Sequence, residues 1–142
     1  MPYKFLDHTA DVAFEVESET LEGLFVDSAF ALKEVACELS NIGSKSETKI
    51  INCNEITLEL LLVEFLNQLN FLIFFKKWIF TTIQKLSINK ADGEINLSCE
   101  LIGNKIDAEA CNFKVEIKAI TFHQMKIEKR KGKYSTKVVL DI

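Results

Sequence analysis

Residues 56–75, ITLELLLVEFLNQLNFLIFF, form the most apolar stretch of the chain and are about as long as a bilayer is thick. A helix of that composition must be covered, either by lipid or by protein. Its polar residues decide against lipid. Glu59, Glu64, Asn67, Gln68 and Asn70 fall inside it, and each charge at mid-membrane costs on the order of 3 kcal/mol on insertion scales. The segment therefore reads as a buried amphipathic helix. Leu58, Leu61, Leu62, Phe65, Leu69, Leu72 and Ile73 line one side, and the helix ends near Lys76 and Lys77, where cations suit a C-terminus. So wide an apolar face calls for a sheet as its cover.

The rest of the chain supplies one. YKFLDH and VAFEVES alternate apolar and polar residues, with Val12, Phe14 and Val16 on one face and Ala13, Glu15 and Glu17 on the other. Between these strands HTAD favours a turn, which places Asp11 where the chain changes direction. From Thr20, an N-cap, the period becomes helical through Leu21, Leu24, Phe25, Ser28, Leu32, Val35, Ala36 and Leu39, with Glu22 in the first turn. SNIGSKSE reads as a loop and TKIINCN as a strand leading to the apolar helix. Beyond that helix come IFTTIQKLSIN, an Ala91-Asp92-Gly93 turn, EINLSCELIG, a long alternating strand from Phe113 to Glu128, and TKVVLDI. The alternation of Phe113, Val115, Ile117 and Ala119 sends Ile120 and Phe122 outward, so a bulge or a second covered face is expected around Ala119-Ile120. The expected fold is α+β: two helices packed on a mostly antiparallel, multi-stranded sheet as a layered sandwich. With 142 residues, 48% of them hydrophobic, the chain builds one core without staples, and no repeat or linker divides it.

Charge and cysteine usage narrow the function. A net charge of −4 repels phosphate backbones, so any nucleic acid involved is expected to be held by a partner rather than gripped directly. Cys37, Cys53, Cys99 and Cys111 show no C-x-x-C pair and no zinc-finger histidine spacing, and read as reduced core or half-core thiols of a cytoplasmic protein. MPYKFLDHTADV carries no secretory leader pattern. The phosphate-loop, dinucleotide, nucleophile-elbow and zinc-protease motifs are all missing. His8 with Asp11 is either a metal or base pair or a turn that satisfies backbone groups; a cysteine paired with His8 as a nucleophile stays open. His123 in ITFHQ reads as a hydrogen-bonded core histidine. KIEKRKGK, residues 126–133, reads as a solvated hairpin whose charges protect a sheet edge rather than as a nucleic-acid patch.

Asp141 is penultimate, so its carboxylate and the α-carboxylate of Ile142 lie within a few ångströms of each other when the terminus is ordered. Two anions so close favour a bound hard cation, Ca²⁺ or Mg²⁺ rather than Zn²⁺, although a frayed, solvated terminus is the ordinary outcome.

Four blocks, LDHTADV (6–12), LLVEFLNQL (61–69), KAITFHQM (118–125) and VVLDI (138–142), together resemble the archease pattern, in order and across nearly the whole chain, giving one archease-like domain over 1–142. The resemblance implies an accessory, chaperone-like protein that is not itself a ligase. Its partner is the GTP-dependent RNA-splicing ligase of tRNA splicing and RNA repair, whose guanylylation and multiple turnover it promotes. It further implies a divalent cation, Ca²⁺ first with Mg²⁺ or Mn²⁺ as alternatives, held by Asp11, Asp141 and Ile142, with Lys118 as a functional lysine and Asp7 and His8 fitting the pattern at the turn. Glu64-Phe65 stands where an Asp-Trp pair is common in the family and Phe122 where tyrosine is frequent. The region before the long strand has Cys111-Asn112-Phe113 where a histidine often stands. A general chaperone or interaction module and a metal-dependent hydrolase are the competing classes.

Overall fold

Threonine side chains open both helices. Thr20 Oγ1 accepts from the Gly23 amide at 2.9 Å ahead of α1 (Leu21–Ala36), and Thr57 Oγ1 accepts from the Leu60 amide at 3.1 Å ahead of α2 (Leu58–Phe74), each satisfying one of the orphan donors of a first turn. In this computed structural model residues 3–6, 11–39, 46–106, 111–113, 115–122 and 125–142 are described. Asp7, His8, His123 and most of the expected 40–47 loop lie outside them, and at Asp11 the description is of the backbone.

The strands, in chain order, are β1 (Tyr3–Leu6), β2 (Asp11–Ser18), β3 (Cys37–Leu39), β4 (Glu47–Glu55), β5 (Trp78–Ala91), β6 (Glu94–Lys105), β7 (Cys111–Phe113), β8 (Ala119–Thr121), β9 (Glu128–Arg130) and β10 (Lys133–Asp141). They form three antiparallel sheets rather than one: a five-stranded sheet β1-β2-β10-β8 with β9 also on β10, a three-stranded sheet β4-β6-β5, and the short pair β3-β7. Both two-residue hairpin turns, Asp92-Gly93 and Lys131-Gly132, have positive φ at both positions, 52° and 78°, then 52° and 79°, the type I′ geometry that matches strand twist. The second closes the KIEKRKGK hairpin. Its charges pair off at the surface, Arg130 with Glu128 at 3.1 Å and Lys133 with Glu17 at 3.3 Å, as edge protection requires.

The two helices fill the space between the larger sheets. α1 lies on β2 and β10, and α2 on β4, β5 and β8. Phe25 and Phe65 meet between the helices with ring centroids 6.0 Å apart, and Phe30 packs edge-on to Phe80 at 5.4 Å. Leu61, Leu62, Phe65, Leu66, Leu69 and Ile73 of α2 are fully buried. Protein thus covers the apolar face, and no described helix is long and apolar enough to cross a membrane.

Two expectations need correction. The first helix stops at Ala36, because Cys37 turns extended (φ −158°, ψ 156°) and Cys37–Leu39 pair with 111–113; a ladder partner distant in sequence overrides the helical period that included Leu39. The run from Phe113 to Glu128 is not one strand but β7, β8 and β9, with residues 115–118 and 125–127 outside regular structure. Ile117 and Ile120 are both buried though three apart, which two-residue alternation forbids, so the expected irregularity is present. A second covered face is also present. Ala13 and Val139 are cross-strand partners buried on the side opposite Phe14, Val138 and Leu140.

Leu66→Ala is expected to destabilise the fold by about 2–5 kcal/mol, and Thr57→Ala by about 1 kcal/mol, measured by urea unfolding. A Leu66→Ala cost under about 1 kcal/mol would contradict the packing of α2.

Candidate functional site

The C-terminal strand places the sequence-derived candidates. β10 lies inside its sheet, with β2 on one side and β8 on the other, and its last residue is paired on both: Asp141 opposes Asp11 on β2 and Ala119 on β8. The terminus is therefore held in a ladder up to Asp141 rather than frayed. Next to that pairing, the amide of Lys118 donates to the carbonyl of Asp141 at 2.8 Å. Lys118 and Ala119 thus both address Asp141, the two-against-one arrangement of a β-bulge.

Three positions more than a hundred residues apart at the extremes, Asp11, Lys118 and Asp141, accordingly meet at one end of the sheet. The side chains of Lys118 and Asp141 are exposed, and Ile142 is 37% exposed. Like charges directly opposite each other in an antiparallel ladder repel, and here both positions are aspartates. On the same face as Asp141, Thr121 faces Val139 across the ladder, and its Oγ1 is buried without a hydrogen-bond partner among the described residues. The same strands carry a groove of about 700 Å³ toward their other end, lined by Lys4, Glu15, Glu17, Lys133 and Lys137. Its lysines outnumber its glutamates by one, and none of the candidate residues reaches it.

Two further features escaped the sequence reading. Asn67 and Asn70, taken only as polar interruptions of an apolar helix, contact the Lys118 segment: Asn67 Oδ1 accepts from the Ile120 amide at 3.1 Å and Asn70 Nδ2 donates to the Ile117 carbonyl at 2.8 Å. The periodicity carried a signal, since Asn70 falls on the core face between Leu66 and Ile73. At the end of α2, Phe71 and Phe75 stack in the open, centroids 4.8 Å apart at 17°, with Lys76 Nζ 5.9 and 5.6 Å from the two rings.

Cys37, Cys53 and Cys99 are buried, and none of them is in a disulfide. Burial, reinforced by the nearby Glu64 carboxylate, pushes the Cys53 thiol up to about 12, and burial raises Cys99 to about 11. Neither has the thiolate character of a nucleophile at neutral pH.

An α+β domain of two helices between antiparallel sheets, with Asp11 and Asp141 opposed at one end of the larger sheet, is the class this architecture defines. The profile of the Archease protein family (MTH1598/TM1083) matches residues 3–142. Protein archease of Archaeoglobus fulgidus is 36% identical over 142 residues, covering 100% of both chains, and that of Methanosarcina mazei is 32% identical over 140 residues, covering 99% of this chain and 95% of the relative. Among solved structures, protein 1598 of Methanobacterium thermoautotrophicum superposes with a TM-score of 0.81 at 27% identity over 99% of each chain. An archease from Thermotoga maritima, described as a possible chaperone, gives 0.59 at 25% over 98% of this chain and 96% of the other. The chain belongs to the archease family.

Two outcomes test this geometry. In chelator at low salt, Asp141→Asn is expected to raise the melting temperature slightly by relieving repulsion across the ladder. The gain should fade near 1 M salt, where the Debye length is about 3 Å; a gain that persists there would have another origin. Cys53 and Cys99, raised far above pH 8, should resist a thiol reagent at that pH until the protein is unfolded, and rapid labelling of the native protein would contradict their burial.

Proposed function

We propose that this protein is a metal-binding accessory factor that activates the GTP-dependent RNA-splicing ligase, promoting its guanylylation and multiple turnover, in the cytoplasm. The observation that carries this reading is the register of β10, which sets Asp141 opposite Asp11 and against Lys118. The donor chemistry suits a hard cation: carboxylate oxygens from Asp141, the Ile142 terminus and Asp11, with Ca²⁺ favoured and Mg²⁺ or Mn²⁺ as alternatives. Among the described residues no three His, Cys, Asp or Glu side chains converge, so the ligand set depends on Asp11 and the terminal carboxylate joining Asp141. When bound, the cation supplies the positive charge that lets these acids stay ordered together.

In this reading Lys118, exposed beside the acids, faces a phosphate or a carboxylate of the ligase, and Asp7 and His8 shape the neighbouring turn. RNA is met through the ligase, in keeping with a net charge of −4.

A second reading, a general chaperone or interaction module, is favoured by the exposed rings of Phe71, Phe75 and Phe122, 49%, 71% and 50% accessible. It predicts suppression of aggregation that Asp11→Ala leaves unchanged.

The deciding experiment is RNA ligation by the cognate ligase, in single and multiple turnover, with and without this protein. The wild type is expected to raise turnover, and Asp11→Ala and Asp141→Ala to lose most of that stimulation while keeping the fold. Ca²⁺ at about 100 times its Kd should stabilise the wild type by about 2.7 kcal/mol and leave Asp141→Ala unmoved. Undiminished stimulation by both variants would sink the assignment.

A further inference from the structure

The bulge at Lys118-Ala119 lies on an edge strand, and its outward-facing backbone groups need partners. Among the described residues β8 has β10 on one side and no strand on the other, and Ile117 and Ile120 are both buried, so water does not readily serve this edge. A buried amide or carbonyl left unpaired there would oppose the conformation. α2 supplies what a further strand would have supplied. Asn67 accepts the Ile120 N–H at 3.1 Å, and Asn70, nine-tenths buried, donates to the Ile117 carbonyl at 2.8 Å. Standing three residues apart, the two amides lie on one helix face and grip the segment on both sides of Lys118. From the opposite side the Lys118 amide is held by the Asp141 carbonyl at 2.8 Å.

We infer that Asn67 and Asn70 are positioning residues: an amide clamp on α2 that fixes the 117–120 bulge and so sets Lys118 at the acidic end of the sheet. The chemistry at each position is specific. Asn67 acts through an acceptor, which aspartate also has. Asn70 acts through a donor, and its own Oδ1 is buried without a partner among the described residues, so the side chain is kept there at a cost that leucine would not incur.

This inference rests on the accessory reading, and the experiment separates the two. Wild type, Asn67→Asp, Asn67→Leu and Asn70→Leu are compared in ligase stimulation, in melting temperature, and in hydrogen exchange of the Lys118 amide measured by NMR on the isolated protein. Asn67→Asp is expected to match the wild type. Asn67→Leu and Asn70→Leu should remain folded, exchange the Lys118 amide faster, and lose stimulation by about 10- to 100-fold, the range typical of groups that orient a functional residue. Leucine variants that stimulate like the wild type overturn the clamp whether or not exchange accelerates. Equal loss in Asn67→Asp and Asn67→Leu also overturns it, since the acceptor is then irrelevant. Failure of the wild type to stimulate overturns the accessory reading and the positioning role with it, and is distinguished because it shows before any variant is made.

Discussion

Everything at the candidate site depends on the C-terminal strand being internal to its sheet. β10 is paired by β2 along its length and by β9 and β8 at its two ends, so its position is set by cross-strand hydrogen bonds and by burial of Val138, Val139 and Leu140 on both faces. A terminus held this way cannot fray without breaking the core beneath it. The result is that the last aspartate of the chain occupies a register position, opposite Asp11, instead of an ensemble of positions. The function proposed for the acids needs that order, since carboxylates on a mobile tail would have no fixed neighbour.

Much of this arrangement was legible in the sequence, because it follows from local chemistry. The alternation in VAFEVES and TKVVLDI gave the buried faces, the Thr20 cap gave the start of α1, and the polar interruptions of ITLELLLVEFLNQLNFLIFF excluded a membrane span. What resisted reading is non-local. Cys37–Leu39 left the helix because a partner strand waits at 111–113, and nothing within either segment announces the other. The split of Phe113–Glu128 into three strands was visible only as a conflict of parity at Ala119-Ile120, and its resolution required α2 and β10 together. The division of the strands into three sheets was likewise a matter of long-range pairing. The placement of Asp11, Lys118 and Asp141 as one group came from family resemblance, with the strand register now giving it a physical basis.

The two polar sets near the sheet end solve opposite problems with different chemistry. At the sheet end Asp11 and Asp141 occupy opposed register positions, and the exposed Asp141 is open to a counter-ion and to a partner. Beneath, at Asn70, exposure is lacking, and a lysine or glutamate there would bring a desolvation penalty of several kcal/mol that no described partner offsets. An amide offers a donor or an acceptor at far smaller cost. Asn67 and Asn70 are therefore what an apolar helix can spare: polar enough to hold one N–H and one C=O of an edge strand, neutral enough to sit among leucines. That compromise also accounts for the helix's composition. The residues that disqualify it as a membrane span include those that tie it to the bulge, so the interruption of the apolar run and the placement of Lys118 trace to the same side chains.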